Sequence, residues 1–221
     1  MPSLAQIVAI TMGVLLLAPS LSAQELSEST IISYPESIDT NCRDGKAKIY
    51  DECGDQFELY QTALARAKAE GKVLLVSYGA EWCIWCHVFE SYINGEYSSF
   101  THTYSNPNDE ERYTETLYER EESDVSEKAE ALNTFVAENF VVLKLEYKYS
   151  SGSADAMEAS GANVLYDNSL PFIYTVAHNG SVASVLDSNR VETRRDTSDW
   201  FRGYNRAQLQ EELANMAKAA N

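Results

Sequence analysis

Positive charge is scarce in this 221-residue chain: 17 Lys and Arg stand against 34 Asp and Glu, for a net charge of -17. That deficit excludes the phosphate-neutralising surface of a nucleic-acid binder and equally an anionic membrane surface as partner. A well-solvated acidic exterior follows. Long apolar runs are also missing. The single candidate, Leu4 to Ala18, falls short of the roughly 20 residues a membrane span needs. Internal repeats are absent, and cysteine is limited to four residues.

The apolar run is followed by Pro19, Ser20, Ser22 and Ala23, which is the pattern of a secretory signal peptide cleaved after Ala23. No Lys or Arg precedes it, a departure that keeps an uncleaved anchor as the alternative. The expectation is a signal segment over 1–23, an exported protein in a periplasm or outside the cell, and no membrane insertion after cleavage. Export makes disulfides admissible, and the cysteines fall as two pairs, Cys42 with Cys53 and Cys83 with Cys86.

Residues 24–55 are polar, broken by Pro35 and Gly45, and carry no sustained period. They read as an extension packed on a domain spanning 56–221. Phe57, Tyr60, Leu64 and Ala67 recur at helical spacing up to a stop at Gly71. Val73 to Tyr78 is a short apolar, β-branched run of the kind buried on both faces of a sheet. Ile84 to Tyr92 continues as a helix stopped at Asn94-Gly95. Residues 96–123 are rich in Tyr, Ser, Thr and acid, and read as an insertion, with Asn106-Pro107 as cap and first position of a charged helix. Its tyrosines, Tyr97, Tyr104, Tyr113 and Tyr118, make it a candidate lid or partner surface.

Helical spacing returns at Val125, Ala129, Leu132 and Val136, and Phe140 to Leu145 reads as a second buried strand. A Gly/Ser/Ala-rich stretch holds one short helix candidate. Two further runs, 171–176 and 181–186, flank His178-Asn179-Gly180 as a hairpin. A helix opening at Asn205, with Gln208 three residues on, closes the chain. The order predicts an α/β domain, a mixed sheet covered by helices on both faces.

The segment Ala80-Glu81-Trp82-Cys83-Ile84-Trp85-Cys86-His87, placed between a buried strand and a helix, resembles the active site of thioredoxin-family proteins. Lys72 to Val76 before it, the Leu170-Pro171 step heading a strand, and the hairpin-helix ending extend the likeness over residues 55–217, apart from the insertion. The resemblance implies a thioredoxin-like fold and a thiol-disulfide oxidoreductase without cofactor or metal. Cys83 is then the exposed nucleophile and Cys86 the buried resolving thiol. Trp82, Leu170 and a cis Pro171 are substrate-binding. Its partners would be protein thiols or disulfides, with a membrane-linked thiol donor to reset a reductase. Physics supports the assignment of Cys83, since a helix N-terminus stabilises a thiolate and pulls a thiol from near 8.5 toward roughly 3.5 to 7.5.

Two positions depart from the family: Ser77 stands where thioredoxins carry a buried acid, and Ile84-Trp85 replaces Gly-Pro between the cysteines. Glu81, His87 or water are the candidate proton acceptors. A purely structural bridge in a non-catalytic binding module is an alternative, disfavoured because so short a loop restricts the unfolded chain little. Cys83-Ile84-Trp85-Cys86-His87 also fits the C-x-x-C-H pattern of covalent haem attachment, against which stand the strand leading into it and the proline and hairpin downstream. The Cys42 to Cys53 spacing is not that of a zinc half-site. These two are expected to form a structural disulfide fastening the extension, worth roughly 2 to 4 kcal/mol, in preference to a role relaying electrons.

Overall fold

Seven consecutive residues, Val73–Gly79, are buried without a break, and a strand so sequestered requires cover on both faces. In the computed structural model, which describes residues 30–106, 109–117, 123–195 and 201–221, this strand lies at the centre of a five-stranded sheet. In chain order the elements are β1 (Ile32–Tyr34), α1 (Gln56–Glu70), β2 (Val73–Gly79), α2 (Ile84–Ile93), β3 (Phe100–Asn106), β4 (Asp109–Glu115), α3 (Val125–Asn139) and β5 (Phe140–Glu146). There follow α4 (Ser153–Ser160), β6 (Phe172–Val176), β7 (Val182–Val185), α5 (Ser188–Val191), β8 (Glu192–Arg195), β9 (Phe201–Tyr204) and α6 (Arg206–Ala220).

The sheet order is β1-β5-β2-β6-β7. β1 and β2 run parallel to β5, while β6 is antiparallel to both β2 and β7. This is the mixed α/β sheet that the element order predicts. Alternate residues of β2 divide between two cores. Val73 and Leu75 join Val88, Phe89, Leu132, Val136, Leu209 and Leu213 beneath α2, α3 and α6. Leu74 and Val76 join Tyr60, Ala63, Ala67, Ala156 and Met157 beneath α1 and α4.

Local chemistry sets the boundaries. Asp55 caps α1 by accepting the amides of Phe57 and Glu58, and Gly71 ends it at φ 66°, a left-handed turn that glycine takes without penalty. Asn205 caps α6 by accepting the amide of Gln208.

Two sequence readings change, and one element has no reading. The N-terminal extension supplies an edge strand of the sheet, since Ile32–Tyr34 pairs in register with Val141 to Leu143; three residues before a proline are too few to show a period. The charged helix predicted from Asn106-Pro107 is an antiparallel hairpin, β3 on β4, with Phe100 opposite Glu115 and Asn106 opposite Asp109. Aromatic and β-branched residue types in this stretch favour extended backbone. A second small hairpin, β8 on β9, stands before α6. The N-terminal apolar run with its predicted cleavage point, the side chains of Tyr104 and Tyr113, and Tyr118 lie outside the described residues. No helix among the described residues is long and apolar enough to cross a membrane.

Candidate functional site

β2 ends at Gly79, at the C-terminal end of the central strand, and Ala80, Glu81 and Trp82 turn the chain into α2. Cys83 is the N-cap of that helix: its backbone is extended and its sulfur accepts the amide of Cys86 at 3.3 Å. The unpaired N–H groups and positive dipole end of α2 therefore face the Cys83 sulfur, the arrangement that favours a thiolate. Cys83 and Cys86 are joined as a disulfide with a Cα separation of 5.3 Å. Cys86 has no exposed surface and Cys83 retains 6%. Cys83 is thus less open than the resemblance implies, because Trp85, Tyr147 and Leu170 pack around the cysteine cluster.

The Cys83 side of the disulfide lines a cleft of about 590 Å³, walled by Trp82, Trp85, His102, Tyr147, Tyr166 and Leu170. Trp82 is 37% exposed and stands edge-on to Tyr147, with ring centres 6.4 Å apart. Tyr147 and Tyr166 in turn meet Tyr78 edge-on. The Leu170–Pro171 peptide is cis and precedes β6, which pairs with β2. Trp82, Cys83 and Leu170 are therefore neighbours around one opening, with Pro171 buried next to them.

Tyr147 is positioned from below. Glu146, buried at the end of β5, accepts the amides of Lys148, Tyr149 and Ser150 and the Ser150 hydroxyl through one oxygen. That fan of bonds turns the loop so that Tyr147 faces Trp82.

Glu81 and His87, the two candidate proton acceptors, are both largely buried and committed to other partners. The Glu81 carboxylate accepts the amides of Ile49 and Tyr50 at 2.9 and 3.1 Å, tying the extension to the site. His87 Nε2 donates to the Glu81 carbonyl at 2.6 Å. Its ring lies 4.4 Å from that of His102. Burial and the neighbouring His87 lower the His102 pKa, so this ring is held neutral against the cleft.

Ser77, the position without an acid, has a partner in the extension: Tyr50 Oη lies 3.0 Å from Ser77 Oγ, and both residues are buried. A Cβ on Gly79 would fall 2.7 Å from Cys86 Sγ and nearer still to Tyr50 Oη. Glycine is required here by space, since any side chain would displace one of the two. Cys42 and Cys53 are joined as a disulfide with Cα atoms 5.9 Å apart, closing the loop that carries Tyr50. With Asp51 they are the only cluster of potential metal ligands among the described residues, and both sulfurs are spent on the bridge.

No protein-family model matches the chain, and no curated protein matches it either. The functional reading therefore stands on the site alone. Sequence reasoning missed Tyr50, His102, Tyr147 and Tyr166. Only Tyr50 left a signal, because Gly79 interrupts a β-branched strand two residues after Ser77 and marks a close approach.

Proposed function

We propose that this chain is an exported, thioredoxin-like thiol-disulfide oxidoreductase acting through Cys83 and Cys86. The observation carrying the reading is the placement of a vicinal cysteine pair at the N-terminus of α2, with the first sulfur capping the helix inside an aromatic cleft beside cis Pro171. In the reducing direction the Cys83 thiolate attacks a substrate disulfide. A Cys83–substrate bond forms, and the displaced substrate sulfur leaves as a thiolate that takes up a proton. Cys86 then attacks Cys83, the mixed disulfide breaks, and the substrate departs with two electrons while the pair becomes a disulfide. Run in reverse, the same steps oxidise a dithiol. Trp82, Tyr147 and Leu170 present apolar surface to the polypeptide around the substrate sulfur. A membrane-linked thiol donor would reset a reductase in an oxidising compartment.

Cys86→Ser is the direct test. It should accumulate substrates on Cys83 as mixed disulfides, and a glutathione redox titration of the wild type should show the pair interconverting reversibly near the roughly -270 to -120 mV of catalytic dithiols. A pair that neither traps nor titrates would overturn the proposal. The small exposure of Cys83 favours one second reading, a binding module in which this bridge is permanent; very slow exchange with small thiols identifies it.

A further inference from the structure

The extension places a phenol behind the resolving cysteine, and nothing in the exchange chemistry so far uses it. We infer that Tyr50, held by Ser77, is a positioning residue for Cys86: its hydroxyl donates a hydrogen bond to the Cys86 sulfur when that sulfur becomes the attacking thiolate. The inference rests on the exchange mechanism proposed above.

The geometry comes from Gly79. Tyr50 Oη and Cys86 Sγ both crowd the point where a Gly79 side chain would stand, so hydroxyl and sulfur are separated by no more than a direct or single-water hydrogen bond spans. Tyr50, Ser77 and Cys86 are each at most 2% exposed. A thiolate formed in that environment lacks bulk water and needs a donor from the protein. The Cys86 amide is directed at Cys83 Sγ and is unavailable to its own sulfur.

Charges nearby oppose the thiolate. Glu81 lies on the turn before α2, Glu90 on α2 itself and Glu146 on β5; each bears on Tyr50 electrostatically. Glu90 is balanced by Lys144 at 2.7 Å, and Glu146 and Glu81 by backbone amides. His87 is engaged with the Glu81 carbonyl. A neutral donor stabilises an anion here without adding a charge that must itself be buried. Burial and these carboxylates raise the Tyr50 pKa, opposed by the Ser77 hydrogen bond, so the phenol keeps its proton and acts as donor, never as base. The Tyr50–Ser77 bond can run either way; with Ser77 Oγ as its donor, the phenol proton is left free for the sulfur.

The step balances without Tyr50 changing its protonation. Cys86 releases its proton to solvent and attacks Cys83 Sγ of the mixed disulfide. The Cys83–Cys86 bond forms as the Cys83–substrate bond breaks, and the departing substrate thiolate is protonated from solvent. The pair is oxidised by two electrons and the substrate reduced by two.

The test measures two rates against pH in the full chain, with oxidised glutathione as probe: formation of the Cys83–glutathione mixed disulfide and its resolution by Cys86. Tyr50→Phe should leave formation unchanged and slow resolution roughly tenfold at neutral pH. The pH midpoint of resolution should rise by about one unit, with wild type and variant converging in alkali where Cys86 is fully ionised. Ser77→Ala, which leaves the ring in place, should shift the same midpoint in the same direction by a smaller amount, and it carries the test if Tyr50→Phe does not fold. Resolution at the wild-type rate across pH, or a uniform slowing with the midpoint unmoved, would overturn the role of Tyr50 while leaving the exchange mechanism standing. A wild type that forms no mixed disulfide sinks both.

Discussion

Replacing both Cys42 and Cys53 by Ala tests whether the extension is held by its covalent clasp or by its contacts. The bridge joins residues 11 apart, and chain entropy for a loop of that length corresponds to about 2.8 kcal/mol of stabilisation at 25 °C. Within the loop, Arg43 and Asp44 adopt left-handed backbone at φ 52° and 57°. Two such non-glycine residues in a row are held only where the ends are fixed. The loop's other ties are the Arg43–Glu52 ion pair at 3.0 Å, the Glu81 carboxylate on Ile49 and Tyr50, and Tyr50 on Ser77. The exposed Arg43 end of that ion pair contributes little. Calorimetry under non-reducing conditions, with Cys83–Cys86 checked as intact by mass, should show a melting temperature lower by about 6 to 11 °C for a domain of this size. Amide exchange at Ile49 and Tyr50 should accelerate more than exchange in β2. A loss under about 1 kcal/mol, with those amides still protected, would refute the reasoning and assign the loop's order to Glu81 and Tyr50.

Two further outcomes follow from buried carboxylates. Glu115 has no exposed surface and its pKa is pushed up to about 7 by desolvation, with Arg202 opposing; the folded chain keeps a proton that the unfolded chain gives up near 4.5, so the penalty is absent below that pH, grows between about 4.5 and 7, and is full above 7. Glu115→Gln should therefore be more stable than wild type by about 3 kcal/mol at pH 8, with the difference vanishing toward pH 4 in urea unfolding; a difference independent of pH contradicts it. Glu146→Ala removes the acceptor of three amides and a hydroxyl and should cost about 3 kcal/mol and slow disulfide exchange by displacing Tyr147, whereas Glu146→Gln, keeping one acceptor oxygen, should lose less on both measures.

The sheet and most of its helices were legible because their signals are periodic and local. β2 and β5 open on unbroken apolar runs, Val73 to Val76 and Phe140 to Leu143, α1 and α6 have side-chain caps and apolar faces, and the β6–β7 turn is marked by Asn179-Gly180. β1 is too short to show alternation. β4 and β8 are mostly charged, β3 is mostly polar and β9 is only four residues long, so pairing, which depends on backbone bonds, leaves no apolar alternation to read. Cys83, Cys86 and Trp82 are adjacent in sequence, and Leu170 and Pro171 follow from a resemblance, so half of the cleft is readable from the chain. His102 reaches it from β3 and Tyr147 and Tyr166 from two separate connections, while Tyr50 meets the buried side of the disulfide from the extension. Only the pairing of β2 with β5 and β6, and the clasped extension, bring them together.

Gly79 and Glu146 are register partners at the ends of parallel β2 and β5. Trp82 and Tyr147, the two sides of the cleft, thus hang from adjacent strands whose spacing the ladder fixes at about 4.8 Å. Widening the opening would require shearing the middle of the sheet, where both cores are anchored. On the proposed function, a slot held in this way would act as a fixed gauge, favouring a flexible or locally unfolded segment that can thread past the two rings over a folded surface.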